Sequence, residues 1–291
     1  MAEPRPTTFQ HRLEFAAFRA VQGVLAVLPE PLALSLGEGL GWFAGRVLRL
    51  RRAVVMRNLQ RAFPELDPSA RTRIAVGAWR HLGREAVMLF RGSHLRRRTP
   101  EALLGRVEFV GLEALRTALG EGRGAVLVTG HLGSWEMGGA LLAAAGIALD
   151  VVALVQGNPL FDAELRQSRE ALGMQIIDRG NAHRDVLRSL RKGRAAALVA
   201  DQNARRGGVE VQFFGHSAPT FKGPAVFALR TGAPLFMIAC LRTSRVPQRY
   251  RLHAERIEHE PTGDFERDVE RLTQAHTARL EHWVRQAPDQ Y

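Results

Sequence analysis

The sequence is poor in the residues that usually announce chemistry. Cysteine occurs once, at Cys240, inside the apolar run Pro234-Leu235-Phe236-Met237-Ile238-Ala239-Cys240-Leu241. A disulfide framework and a thiolate metal site are therefore excluded, and a buried thiol in a reducing compartment is expected. No histidine pair has zincin spacing, so no metal ligand set is expected. There is no Gly-x-Ser-x-Gly elbow for a serine nucleophile and no P-loop, and no cofactor is expected. Gly37-x-Gly39-x-Gly41 follows no strand, so it reads as close helix packing rather than a dinucleotide turn. No apolar run approaches the roughly 20 residues that cross a bilayer, and no small-residue cleavage site follows the first helix. Internal repeats and low-complexity segments are absent as well.

Positive charge is what the chain has in excess. Lys and Arg number 41 against 29 Asp and Glu, a net +12, yet only Lys192 and Lys222 are lysines. Such a field attracts anionic lipid, an acidic protein or nucleic acid. Nucleic acid is the weakest of these partners, because Arg96-Arg97-Arg98 comes with no reading helix, zinc site or aromatic platform.

Periodicity divides the chain at about residue 52. In residues 13–28, Leu13, Ala16, Ala17, Ala20, Val21, Val24, Leu25 and Leu28 share one helical face. A second stripe runs through Leu36, Leu40, Phe43, Val47 and Leu50 and ends in Arg51-Arg52. Residues 1–52 thus form N-terminal amphipathic helices, which either pack on the remaining chain or lie on a membrane with their arginines at anionic headgroups. Residues 53–291 read as one α/β domain. Helical spacing continues to about residue 104, with Pro64 as a stop and Asp67-Pro68-Ser69 as the next cap. Strand-like runs follow at 107–110, 125–129, 151–155, 174–177, 195–200 and 235–241, with 249–254 as an antiparallel addition. Helical spacers lie at about 134–145, 160–172, 182–192 and 223–231, and residues 265–285 form a closing helix. The alternation predicts a mainly parallel central sheet with helices on both faces.

Ligand chemistry in such a sheet belongs at the carboxyl ends of the strands. There the run Val126-Leu127-Val128-Thr129-Gly130 delivers His131, with Glu136 five residues further on. A histidine can act as a neutral base near pH 7, and a carboxylate can orient its ring and stabilise the imidazolium. Chance produces a His-x4-Glu pair in any chain of this length; its place at a strand-to-helix turn singles this one out. Asp201 and Gln202 follow another apolar strand and fall on the same rim, where Asp201 is either part of the site or a loop cap. Arg205 and Arg206 offer guanidiniums for phosphate or carboxylate, unless they are merely solvated. Phe213 and Phe214 form either the wall of an apolar substrate site or core.

Gly130-His131-Leu132-Gly133-Ser134-Trp135-Glu136 resembles the signature of the late acyltransferases of lipid A biosynthesis, a branch of the lysophospholipid acyltransferase superfamily. The resemblance extends over most of the chain. It includes Arg57-Asn58-Leu59 with Phe63-Pro64-Glu65, and Asn158-Pro159 leading into a helix with Arg169 and Gly173. It continues through Asp201-Gln202, Phe213-Phe214-Gly215, Gly223-Pro224-Ala225 and Arg230-Thr231-Gly232. The resemblance implies transfer of a fatty acyl chain from an acyl carrier protein, or coenzyme A, thioester to a hydroxyl of a glycolipid acceptor. It places that reaction at an anionic lipid surface on the cytoplasmic face of a bacterial inner membrane. His131 and Glu136 would be the catalytic pair, with Glu136 holding the ring. Asn158, Arg169, Asp201, Gln202, Arg205, Arg206, Phe213 and Phe214 would contact substrate. Two departures stand out: Leu154-Val155-Gln156-Gly157 lacks the family's arginine before Asn-Pro, and the chain stops at Tyr291, before the family's usual Trp and basic residues. The first leaves room for another glycolipid or phospholipid acceptor, or for a catalytically silent lipid-binding homologue.

Overall fold

A computed structural model describes residues 6–92, 95–205 and 207–291, together with the backbone of 93 and 94. The chain begins with helices α1 (Phe9–Val27), α2 (Glu30–Trp42), α3 (Arg52–Ala62), α4 (Pro68–Phe90), α5 (Gly92–Leu95) and α6 (Pro100–Leu104), with a π-helical turn at Phe43–Val47. Asp67 caps α4 as its sequence predicts, accepting from the backbone N–H groups of Ser69 and Ala70 at 2.7 and 2.9 Å. Strands and helices then alternate: β1 (Val107–Val110), α7 (Leu112–Gly120), β2 (Ala125–Thr129), α8 (Trp135–Ala144), β3 (Leu149–Ala153), α9 (Pro159–Ala171), β4 (Met174–Asp178), α10 (Ala182–Arg191) and β5 (Ala195–Val199). The remainder is β6 (Val209–Phe213), β7 (His216–Thr220), α11 (Gly223–Thr231), β8 (Leu235–Arg245), β9 (Gln248–Ile257) and α12 (Phe265–Gln286).

The seven-stranded sheet has the order β1-β9-β8-β2-β5-β3-β4. From β8 to β4 all pairings are parallel; β9 runs against β8, and β1 pairs parallel with β9. The mainly parallel sheet is thus present, with β9 as the antiparallel addition that the sequence indicates. Side-chain alternation along β2 divides the core into two layers. Val126 and Val128 pack with Val186 and Leu190 of α10, Phe227 of α11 and Leu280 of α12. Ala125 and Leu127 point the other way, to Leu115 of α7 and Met137, Ala140 and Leu141 of α8. The continuous apolar run of β2 follows from this covering of both faces.

The hairpin β6–β7 is an addition to the expected elements. Phe214 and Gly215 form its two-residue turn, both with positive φ, 52° and 72°. It packs on α12, where Gln274 exchanges hydrogen bonds with the Gln212 backbone.

Both N-terminal segments are helical, but most of their apolar stripes do not pack on the rest of the chain; of the first, Leu25 and Leu28 join Ala33, Leu34 and Val87 in a small core. Leu13, Val21 and Val24 are exposed on α1, whose buried residues are Gln22 and, from the stripe, Leu25. Leu36, Leu40, Phe43, Val47 and Leu50 are all exposed. The inward face of α2 is made of Ala33, Leu34, Gly37 and Gly41. Gly37 and Gly41 lie against Gly83 and Trp79 of α4, so closely that a β-carbon on Gly37, Gly41 or Gly83 would overlap the facing backbone. The glycines at 37 and 41 do serve close helix packing.

Replacing glycine by alanine inside a solvent-facing helix normally stabilises by about 0.5–1 kcal/mol. Gly39 faces open space, so Gly39→Ala is expected to raise stability by that amount. Gly83→Ala is expected to lower it by about 1–3 kcal/mol through overpacking. Urea unfolding of the two variants checks the opposite signs, and equal effects would contradict the packing described.

Candidate active site

The connection from β2 passes through α8 on one face of the sheet to β3, whereas that from β5 passes through α11 on the other face to β8. Adjacent parallel strands whose chains leave to opposite faces open a crevice at their carboxyl ends. The last paired positions are Thr129 and Val199. Two residues beyond each lie His131 and Asp201, and the register sets them side by side. Asp201 receives two hydrogen bonds from His131: the backbone N–H donates to Oδ2 at 2.7 Å and ring Nδ1 to Oδ1 at 2.7 Å. The Asp201 side chain is 4% exposed and that of His131 41%. A carboxylate only accepts, so the proton sits on Nδ1 and Nε2 is left as the basic nitrogen. The hydrogen bond to Asp201 raises the His131 pKa above its usual value, against the opposing effect of burial, and the charges of Asp201 and Glu136 add to the rise. Gly130 makes room for this contact, since a β-carbon there would lie 3.1 Å from Asp201 Oδ2.

Glu136 does not hold the ring, which corrects the role expected for it. It stands in the first turn of α8 and pairs with Arg169 of α9, whose Nε donates to Oε2 at 3.1 Å and whose Nη2 donates to Oε1. A planar fork against a carboxylate is a strong and directional pairing. Its effect on His131 is through space.

His131, Glu136, Arg169 and Gln202 line a cavity of about 640 Å³, within the usual size of a ligand site. Its other walls include the buried side chains of Leu127, Leu142, Leu149, Met174 and Cys240. Two features make the space. Pairing between β3 and β5 stops at Val151 and Ala197, although the strands continue to Ala153 and Val199. Glycines at 138 and 139 leave the facing side of α8 bare, and a β-carbon on Gly139 would stand 2.8 Å from Met174 Sδ. Cys240 is no nucleophile, because burial pushes its thiol far above the usual range. Ser134 is fully buried, and its hydroxyl donates to Glu85. Among the described residues no cluster of His, Cys, Asp or Glu could hold a metal ion. A polar mouth with a histidine base over an apolar interior suits proton removal from a hydroxyl beside a bound hydrocarbon chain.

The other expected contacts are not all brought to this cavity. Asn158 caps α9 through the Leu160 N–H and donates from Nδ2 to the His11 carbonyl and Glu14, so its polar atoms serve α1 and α9 rather than a ligand. Phe214 is core, packed edge-on to Phe63 at 5.3 Å and beneath the Arg285 guanidinium. Phe213 lines a separate cavity of about 220 Å³ behind Asp201. Arg205 is exposed with φ 53° and does not line the larger cavity. Arg206 lies outside the described residues. Sequence reasoning missed Trp135, whose ring meets that of His131 edge-on at 5.1 Å, and Tyr291. Burial and the adjacent Asp201 raise the Tyr291 hydroxyl far above its usual range. Nothing in the local pattern at residue 291 signals a site 90 positions away.

The model of the bacterial lipid A biosynthesis acyltransferases matches residues 6–291. The chain is 32% identical over 228 residues to the phosphatidylinositol mannoside acyltransferase of Mycolicibacterium smegmatis, covering 75% of this chain and 71% of that protein. It is 26% identical over 273 residues to a lipid A biosynthesis acyltransferase of Haemophilus influenzae, covering 92% and 82%. With the lipid A biosynthesis lauroyltransferase of Escherichia coli it shares 28% identity over 211 residues, 72% and 67%.

The His131–Asp201 bond predicts a titration with a definite sign. A raised histidine pKa adds stability that is fully present below the unfolded value of about 6.5 and is lost as pH rises through the folded value. In Asp201→Asn the His131 midpoint is expected to fall, and its share of stability with it. Histidine ring NMR read against pH checks this; an unmoved midpoint would mean that Asp201 does not hold the ring.

Proposed function

The chain belongs to the family of bacterial lipid A biosynthesis acyltransferases, and from that premise we propose that it acylates a hydroxyl of a glycolipid with His131 as the base. Acyl transfer to a glycolipid is the common activity named for its relatives. The observation that carries the mechanism is the His131–Asp201 pair at the mouth of an apolar cavity. His131 Nε2 takes the acceptor hydroxyl proton as that oxygen attacks the thioester carbonyl. Asp201 stabilises the imidazolium that results. When the tetrahedral intermediate collapses, the C–S bond breaks and the imidazolium returns the proton to the leaving sulfur. The ester and a free thiol are the products. No covalent acyl-enzyme is required, in keeping with the protonated Cys240 and the engaged Ser134.

Arg169, oriented by Glu136, uses Nε and Nη2 for that carboxylate, and its Nη1 makes no hydrogen bond among the described residues. We assign it to an anionic group of the substrate. The acceptor is a lipid A precursor or another phosphorylated glycolipid, such as a mannosylated phosphatidylinositol. The donor is the thioester of an acyl carrier protein or coenzyme A.

The outward stripes of α1 and α2 support a membrane-surface location for residues 1–52, with residues 53–291 as the catalytic part. No described helix is long and apolar enough to cross a membrane. The exposed Leu36, Leu40 and Phe43 lie in the same segment as the exposed Arg46, Arg49, Arg51 and Arg52. That composition fits an interfacial helix at anionic lipid, here on the cytoplasmic face of an inner membrane.

Two measurements test the proposal. Palmitoyl and lauroyl thioesters of acyl carrier protein and of coenzyme A, offered with a lipid A precursor or a mannosylated phosphatidylinositol, are expected to yield a product heavier by one acyl group. His131→Ala should reduce its rate by about 10²–10⁴-fold. Product from no pair would favour a silent lipid-binding homologue. Separately, Leu36→Asp with Leu40→Asp should weaken co-sedimentation with anionic vesicles while leaving the circular dichroism unchanged. Undiminished binding would contradict the assigned surface.

A further inference from the structure

The turn between His131 and α8 is held at four polar atoms of Gly133 and Ser134, each time by a distant element. Gly133 N–H donates to the Gln290 carbonyl at 2.8 Å, and the Gly133 carbonyl accepts from His81 Nε2 at 3.1 Å. Ser134 N–H donates to the Cys240 carbonyl at 2.8 Å, and Ser134 Oγ donates to Glu85 Oε1 at 2.7 Å. Gly133 has φ 59°, and a β-carbon there would overlap the Cys240 carbonyl, so the turn has no slack on that side.

Among these partners Glu85 is the unusual one. It is a carboxyl on α4 with an 11% exposed side chain. A backbone carbonyl or an amide would accept from Ser134 without the cost of burying an ionisable group. Glu85 also lines a side cavity of about 230 Å³ together with Trp135, Glu136 and Arg169. It therefore faces both ends of the segment on which the site depends. The groups around it are His81 and Arg84 on its own helix, Cys240 and Arg242 on β8, Tyr250 on β9 and Glu136 on α8. His81, 3.8 Å away, is not its ion-pair partner. Burial lowers the His81 pKa to about 4, while its Nε2–H donates to Gly133 and its Nδ1 accepts from Arg242 at 3.2 Å.

We propose that Glu85 is a positioning residue for acyl transfer: through Ser134 it fixes the turn that joins His131 to Glu136, and it holds that turn more firmly when ionised. The proposal rests on the reading of His131 as the base. A charged acceptor makes a hydrogen bond roughly twice as strong as a neutral one. Burial pushes the Glu85 carboxyl up to about 7, against the lowering by Ser134, Arg242 and Arg84. The charge state therefore changes near neutral pH. The signs separate two effects. A carboxyl whose folded pKa is raised adds stability below its unfolded value and loses it as pH rises through the folded one. Global stability thus falls with pH while the local hold on Ser134 strengthens.

The test compares Glu85→Gln, Glu85→Ala and Ser134→Ala by two readouts. One is thiol release from palmitoyl-coenzyme A with a lipid A precursor as acceptor; the other is hydrogen exchange of the peptide 130–137 between pH 5.5 and 8.5. Glu85→Ala and Ser134→Ala are expected to lower kcat about 10–100-fold with little change in KM, and to speed exchange of that peptide. The double variant should be no slower than either single one. Glu85→Gln, whose amide oxygen still accepts, should recover most of kcat, but its exchange should lose the change around pH 7. Wild-type exchange and kcat in Glu85→Ala would overturn the proposal, as would an unchanged pH response in Glu85→Gln. If the wild type forms no product, acyl transfer fails as a reading, while the exchange of peptide 130–137 still decides whether Glu85 positions the turn.

Discussion

The structure turns on a buried carboxylate that holds one histidine at two points. Asp201 takes the backbone N–H and the ring N–H of His131 together. The first contact sets where the residue leaves the strand, and the second sets how the ring is rotated and which nitrogen is basic. The ring bond decides the tautomer, and the backbone bond adds to the distant contacts that hold Gly133 and Ser134. The parallel register of β2 and β5 makes both available at once, because Thr129 and Val199 are partners and the chain advances equally beyond them. Burying a carboxylate is costly unless it is hydrogen-bonded, and these two donors offset that cost.

Much of this was legible in the sequence, for identifiable reasons. The strands at 125–129 and 235–241 are near-continuous apolar runs, and only a sheet covered on both faces buries such runs. His131 could be placed because glycines flank it at a strand-to-helix transition. Asp201 could be placed on the same rim, but its contact with His131 could not, since strand adjacency in a parallel sheet is decided by crossovers tens of residues long. Glu136 illustrates the opposite error. Its spacing invites a local partnership, yet the helical first turn of α8 points it to Arg169, which a sequence does not place beside it. The hairpin β6–β7 was hidden differently: Val209-Glu210-Val211-Gln212-Phe213 alternates well, but Pro219 in the returning strand weakens the signal.

The N-terminal helices show where periodicity alone is insufficient. The stripes of leucine and valine were real, but hydrophobic patterning does not say what covers it. The deciding residues were the glycines of α2, which bring its smaller face against α4 and so turn the larger apolar face outward. A helix usually buries its bulkiest stripe. Here α2 buries Ala33, Leu34, Gly37 and Gly41 and leaves Leu36 and Leu40 exposed, followed by the exposed Phe43.

The same helix α4 connects that outer face to the chemistry. On one side it carries Gly83, against which α2 rests; two residues further on, Glu85 reaches the turn behind His131. The backbone-to-backbone contact at Gly83 leaves α2 little room to shift against α4, because interiors at that density deform little. The close glycine contact and the buried carboxyl at the turn behind His131 thus stand two residues apart on one helix. We place the lipid on the apolar face that α2 turns outward from that contact.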